Sequence, residues 1–274
     1  MSRRGGRPKR SLGQNFLVDP NLQRKIVEAV DAEPGDTVVE VGPGRGALTD
    51  HLAGRVGRLV LVELDDALAG ALRERFRGRQ DVAVVHGDVL EHPLSALVDE
   101  PGRTRVVGNI PYNITTPILF HLLERPRPRE IVLMVQEEVA DRIVAEPGTS
   151  AYGALAVGVR SVAEAERLFR VGRRAFRPVP GVDSAVVRIR PRVPPPLSPG
   201  EETRLRALVR ACFQWRRKQL RKILRDHPDL AVPAGAIPGL AEHVGFRPTD
   251  RPETLSPDAF IRLAAALPGS GATP

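Results

Sequence analysis

An α/β fold with a mostly parallel sheet, followed by a smaller helical domain, is what this sequence predicts. Three observations predict it. Five short β-branched runs recur between Thr37 and Gln136, amphipathic stretches of crossover length separate them, and beyond a proline-rich segment at 191–200 the pattern is helical throughout. Strands of a parallel sheet are covered on both faces, so they read as continuous apolar runs rather than alternating ones.

Taken in order, "DPNLQRKIVEAVDAEPGD" predicts a leading helix. Asp19 caps it, Pro20 sits where a missing N–H costs nothing, Leu22, Ile26, Val27 and Val30 recur at helical spacing, and Pro34-Gly35 stops it. The strands are "TVVEV" (37–41), "RLVLVEL" (58–64), "VAVVHGD" (82–88), "TRVVGN" (104–109) and "EIVLMVQ" (130–136), all expected to be buried on both faces. Between them "DDALAGALRERFRG" places Leu68, Leu72 and Phe76 on one helical face, as a βαβ crossover requires. "EEVADRIVAE" and "SAYGALAVGVRSV" read as two more helices, and "EAERLFRVG" and "SAVVRIR" as a closing strand pair joined by "RRAFRPVPGVD". The expected division is a basic tail at 1–10, a first domain at 11–192, a stiff linker at 193–200 and a helical domain at 201–268.

With 274 residues, 42% of them hydrophobic, the chain has material for one large core and one small one. The single cysteine, Cys212, excludes an intramolecular disulfide and a cysteine metal cluster, and no metal is expected. The longest apolar runs fall far short of the roughly 18 to 20 residues of a bilayer span, so a soluble, cytoplasmic protein is expected, and nothing in the sequence demands more than a monomer. Lys and Arg number 41 against 33 Asp and Glu, and the surplus clusters in the first ten residues and again from Arg204 to Arg225, one long basic amphipathic segment. Clustering is what distinguishes a polyanion-binding surface from scattered solvated charge.

The segment "VEVGPGRGALTDHL" follows the first strand and opens a helix. Glycines there allow close backbone approach to a ligand, but Gly42, Gly44 and Ala47 also satisfy the dinucleotide fingerprint, with Glu63 near the distance of a ribose contact. The loop alone leaves NAD and S-adenosylmethionine open. Pro43 stiffens it, and Glu40 sets a carboxylate where a methionine ammonium or sulfonium would be welcome and a pyrophosphate repelled. Asp88, ending the third strand, falls within reach of an adenine amino group across the strand ends. These favour S-adenosylmethionine.

The fourth strand delivers "GNIPYNITTP" to the same edge. Adenine's exocyclic amine is a poor nucleophile, and methylating it requires acceptors that draw on its hydrogens and hold the nitrogen in line. Asn109 supplies one acceptor through its side chain, the Ile110 carbonyl a second, and Pro111 fixes the chain between them and Tyr112, whose ring offers a face to an extruded base. No general base of shifted pKa is needed. Phe176, in the proline-bracketed "AFRPVPGVDSAV" rather than in a strand, is a candidate second face, although a ring of this kind is more often a packing residue.

In these stretches, together with "SLGQNFLVDP", "VELD", "GDVL", "MVQEEVADRI", "YGALAV" and "FQWRRKQLRKIL", the chain resembles the class I methyltransferases that dimethylate adenosine in ribosomal RNA, in their small-subunit branch. The matches run in order from Ser11 to about Leu224. The resemblance implies a seven-stranded methyltransferase sheet with a helical second domain. It also implies S-adenosylmethionine-dependent dimethylation of N6 on two adjacent adenosines in the 3′-terminal hairpin of 16S rRNA, on the immature 30S subunit during its biogenesis. Carried over by position, Asn15 and Leu17 line the cofactor, Gly42 belongs to the glycine loop, Glu63 binds ribose, Asp88 binds the cofactor adenine, and Asn109 bridges cofactor and target. Tyr112 and Phe176 would flank the base, and Arg216, Arg217, Lys218, Arg221 and Lys222 would contact RNA phosphates, with Leu205, Leu208, Cys212, Leu220 and Ile223 packed opposite. Two departures stand out: Ile110 replaces the commoner leucine, as in the related 23S enzymes, and Trp215 is bulkier than the polar residue expected. The competing readings are a 23S adenine methyltransferase, a largely non-catalytic assembly factor on the same fold, and an NAD-dependent oxidoreductase.

Overall fold

The computed structural model describes residues 14–267. The basic tail at 1–10 and the "SLG" of the first motif lie outside them. By contact the chain forms two units: residues up to 140 with 166–191, and 141–165 with everything from 192 onward.

The first unit carries a seven-stranded sheet. Its strands are β2 (Thr37–Val41), β3 (Arg58–Glu63), β4 (Val82–His86), β5 (Arg105–Asn109), β6 (Glu130–Gln136), β7 (Ala163–Val171) and β9 (Ser184–Pro191), in the order β4-β3-β2-β5-β6-β9-β7. The first five are parallel neighbours, and β9 runs antiparallel to β6. A separate two-stranded ribbon joins β1 (Phe16–Leu17) to β8 (Phe176–Arg177). The inner strands bury their apolar runs completely, but β4 is only half-buried because it forms the sheet's edge and has a neighbour on one side alone.

Helix α1 (Pro20–Val30) starts as expected, with the Asp19 carboxylate accepting from the backbone N–H groups of Asn21 and Leu22 at 2.9 and 3.2 Å. It ends earlier than the Pro34-Gly35 stop, at Asp31, whose left-handed backbone turns the chain out of the helix. Further along come α2 (Thr49–Leu52), α3 (Asp66–Arg75, capped by Asp65), α4 (Leu94–Leu97), α5 (Thr115–Leu122) and α6 (Glu137–Val144). At the amino ends of the strands, Arg105 is buried against Asp36 (2.8 Å) and Glu130 (3.3 Å), and Glu130 also accepts from Arg190 Nε (2.6 Å). A carboxylate as deeply buried as Glu130 is tolerable only with such company.

The second unit contains α7 (Ala154–Arg160), α8 (Pro199–Gln214), α9 (Leu220–Asp226), α10 (Ile237–Val244) and α11 (Pro257–Ala266). It takes in residues 141–165, which the sequence assigned to the first domain, because Tyr152, Ala156 and Val157 pack into the same cluster as Leu205, Leu208 and Phe260. Tyr152, wholly buried, donates to the Leu255 carbonyl at 2.6 Å. The long basic segment from Arg204 is not one helix. It breaks between Gln214 and Leu220, where Trp215 packs edge-on against His227, and the N–H groups of Leu220 and Arg221 donate to the carbonyls of Asp250 and Pro248. Trp215 therefore serves the core of this unit. Leu205, Leu208, Cys212, Leu220 and Ile223 are buried as their spacing suggested.

Candidate active site

The carboxyl ends of β2 to β5 open into a cavity of about 900 Å³ within the first unit. Each wall follows from how its strand ends. After β2 the chain turns through Gly42 and Gly44, at φ +66° and +57°, a region that side-chain-bearing residues rarely adopt. A Cβ on Gly44 would also stand 3.2 Å from the Phe16 ring. The Gly44 N–H donates to Glu63 Oε2 and the Asp65 N–H to Glu63 Oε1, both at 2.9 Å, so the residue ending β3 is clamped to the loop after β2. After β4, Asp88 Oδ1 accepts from the Leu90 N–H at 3.0 Å and turns the chain along the cavity.

The lining carries four carboxyl groups, Glu40, Asp50, Glu63 and Asp88, against the guanidinium groups of Arg45 and Arg75. Glu40, inside β2, is buried and accepts from Thr49 Oγ1 at 2.7 Å; burial pushes its carboxyl up to about 8, with the nearby Asp50 and Glu63 charges adding to the rise. Burial also raises Glu63. Such a pocket favours a cationic ligand, which would restore the charged form of Glu40, and disfavours a pyrophosphate. The acidic lining suits S-adenosylmethionine, a cation without a pyrophosphate.

Asn15, Leu17, Gly42, Glu63, Asp88, Asn109 and Tyr112 all line this one cavity. Asn109 Nδ2 donates to the Asn15 carbonyl at 3.0 Å, which orients the amide. Its Oδ1 accepts from no described residue, and neither does the adjacent Ile110 carbonyl. Tyr112 Oη lies 2.7 Å from Ser184 Oγ.

Phe176 departs from its expected place. It lies in β8 rather than in an open loop, fully buried with Leu17, Val171 and Val186, and it is absent from the cavity lining. Pairing with β1 draws the ring inward, so in this structure Phe176 presents no face to a base. The five cations at 216–222 belong to the second unit: Arg217, Lys218, Arg221 and Lys222 are exposed, whereas Arg216 is half-buried with its Nε on Glu253 at 2.7 Å.

Three residues escaped sequence reasoning. Phe16 stacks beneath the Arg45 guanidinium, 4.4 Å from the ring centroid. Ser184 had no signal in the pattern. Gly108 did have one, a glycine inside a strand, which marks close backbone approach; a Cβ there would meet the Val41 carbonyl oxygen at 2.7 Å.

A sheet of this order with an acidic cavity at its carboxyl edge defines a class I S-adenosylmethionine-dependent methyltransferase. Solved structures agree: a dimethyladenosine transferase from Plasmodium falciparum superposes with a TM-score of 0.78 at 26% identity, over 90% of this chain and 95% of that one. The 23S rRNA methyltransferase ErmE superposes with a TM-score of 0.72 at 31% identity, over 92% and 99%. The model of the ribosomal RNA adenine dimethylase family matches residues 6–232, and the chain belongs to that family. Its relatives include the ribosomal RNA small subunit methyltransferase A of Geobacter metallireducens, 43% identical over 97% of this chain and 98% of that protein. The protein of the same name from Pseudomonas aeruginosa is 41% identical over 96% and 97%. The chain is thus an S-adenosylmethionine-dependent rRNA adenine dimethyltransferase.

Proposed function

We propose that this enzyme dimethylates N6 of two adjacent adenosines in the 3′-terminal hairpin of 16S rRNA, acting as a cytoplasmic monomer on the immature 30S subunit. The small-subunit enzymes at 43% and 41% identity stand above the 23S enzyme at 31%, despite Ile110. Among the described residues no helix is long and apolar enough to cross a membrane.

One observation carries the chemistry: Asn109 Oδ1 and the Ile110 carbonyl are neighbouring acceptors without a protein donor among the described residues, on the wall that also holds Tyr112. An amine with two hydrogens satisfies both. S-adenosylmethionine supplies a methyl group made electrophilic by its sulfonium. Asn109 and Ile110 hold the target nitrogen by its two hydrogens in the first transfer and by the one that remains in the second, leaving its lone pair for attack. Each N–C bond formed breaks the methyl–sulfur bond, releasing S-adenosylhomocysteine, and the proton leaves the resulting cation to water, so the role is positioning and needs no base. Tyr112 stacks on the extruded ring, Glu63 and Asp88 bind the cofactor's ribose and adenine, Asn15 and Leu17 close the cavity, and Gly42 brings backbone close. Arg217, Lys218, Arg221 and Lys222 contact phosphate, with Arg216 braced by Glu253.

The test is primer extension across both rRNAs after incubating unmethylated 30S and 50S particles with enzyme and cofactor. Stops at two adjacent adenosines near the 16S 3′ end are expected. Stops confined to 23S rRNA would replace the small-subunit reading.

A further inference from the structure

We propose that the arginine-rich loop at 172–183 is a second phosphate-binding surface, at the rim of the catalytic cavity and distinct from the cations at 216–222. It rests on the reading of the chain as an rRNA methyltransferase. Arg173, Arg174 and Arg177 fall within five residues, and all three are exposed. None forms an ion pair among the described residues. Arg173 Nη1 donates to the Gly181 carbonyl (3.3 Å), Arg177 Nη1 donates to those of Arg174 (3.1 Å) and Phe176 (2.8 Å), and the Arg174 guanidinium has no partner there. Some exposed arginines of the same unit meet carboxylates, as Arg79 does with Asp81 and Arg170 with Asp183, and others, such as Arg55 and Arg73, have no ion pair among the described residues. What sets the loop apart is three such arginines within five residues at the cavity rim. A guanidinium carries five N–H donors in a planar fork, so one resting on a carbonyl keeps most of them for a second acceptor, and the fork matches phosphate.

The loop is held firmly beside the cavity. Ala175, Phe176 and Pro180 are buried, and the Asp183 carboxylate accepts from the Arg173 N–H at 2.8 Å. The Ala175 carbonyl accepts from the Val18 N–H at 2.8 Å, and in the ribbon Arg177 stands opposite Phe16 and Phe176 opposite Leu17. Phe16, Leu17 and Val18 all line the cavity. At its other end the loop runs into Ser184, which holds Tyr112. The loop thus borders the cavity through both connections. An adenosine leaving its stack to enter the cavity brings its own flanking phosphates to this rim. Val179 and Val182, 51% and 47% exposed, give the same loop an apolar surface for the neighbouring nucleotide.

The test uses the full chain and unmethylated 30S particles, with binding followed over a KCl series at fixed Mg²⁺. Each lost phosphate contact flattens the slope of log affinity against log salt by about 0.7 to 0.9, so the triple variant Arg173→Gln/Arg174→Gln/Arg177→Gln is expected to be shallower by about two to three. Arg174→Gln alone, whose side chain bonds to nothing described, is expected to fold as wild type and to be shallower by just under one, with Arg174→Lys restoring the slope. Cofactor affinity by calorimetry is expected to match wild type in all of them. Wild-type slopes in both the triple and the single variant, with wild-type enzyme methylating the particles, would overturn the proposal alone. A wild-type enzyme that neither binds nor methylates them removes the rRNA reading, and the proposal with it.

Discussion

Tyr112 Oη and Ser184 Oγ, 72 residues apart in sequence, lie 2.7 Å from each other. Ser184 is the first residue of β9 and wholly buried, so the bond ties a half-exposed ring to the buried end of a sheet strand. A ring meant to receive a base gains from arriving already oriented. A single hydrogen bond is worth about 0.5–1.5 kcal/mol net, so Ser184→Ala and Tyr112→Phe should each lower turnover by about 2- to 12-fold. In the double variant the losses should not add, because both remove the same bond. Fully additive losses in steady-state kinetics would show that the two residues act separately.

Asn109 should behave differently. Asn109→Ala removes the acceptor proposed for the reacting amine and also takes the Nδ2 donor away from the Asn15 carbonyl. Removing one such preorganised group commonly costs about 10²- to 10³-fold in turnover. We expect a loss of about that size, larger in kcat than in the cofactor dissociation constant. Normal methylation by this variant would favour a scaffold role for the fold over catalysis.

Glu40 makes stability depend on pH. Its carboxyl is raised from an ordinary 4.5 to about 8, so the folded protein holds a proton that the unfolded chain has already lost across that window. Stability is therefore greatest below about 4.5, as far as this group is concerned, and declines as pH rises to about 8, on the order of a few kcal/mol in total. Melting curves of the ligand-free enzyme should fall over this range, and Glu40→Gln should flatten the fall. Cofactor binding near neutral pH should release a proton, which calorimetry in buffers of different ionisation enthalpy would detect in wild type and miss in the variant.

Much of this was legible because the signals were local. Continuous β-branched runs located β2, β3, β5 and β6 to within a residue, since burial on both faces leaves no alternation to misread. Asn109 and Tyr112 were expected on one wall, and they line the same cavity, because strand ends of a parallel sheet converge on one edge. What was missed depends on distant partners. Phe176 looked available because its prolines suggested a loop, and only its pairing with Leu17 draws it into the core. The break after Gln214 arises from carbonyls at Pro248 and Asp250, which nothing near Trp215 announces. The packing of Tyr152 with Phe213 and of Phe213 with Phe260 likewise joins segments that sequence order keeps apart.

Gly108 offers the sharpest test of how the sheet positions the chemistry. It sits opposite Val41 in the β2–β5 pair, and a Cβ would come within 2.7 Å of the Val41 carbonyl oxygen and 3.3 Å of the Val41 Cβ. Neither is the end of a flexible side chain, so Gly108→Ala must part the two strands where they meet the cavity. Overpacking of this kind costs about 1–3 kcal/mol, which should appear as a melting temperature lowered by several degrees. The strand that moves carries Asn109 next in line, and a displacement of about 1 Å at a positioning group can cost about 10²-fold in rate. Turnover measured well below the melting transition should therefore fall by more than about tenfold, even though the substitution adds only a methyl group. Gly102→Ala, where nothing lies within 4 Å, is the matching control and should melt and turn over close to wild type. Equal behaviour of the two variants would mean that the β2–β5 spacing does not set the position of Asn109.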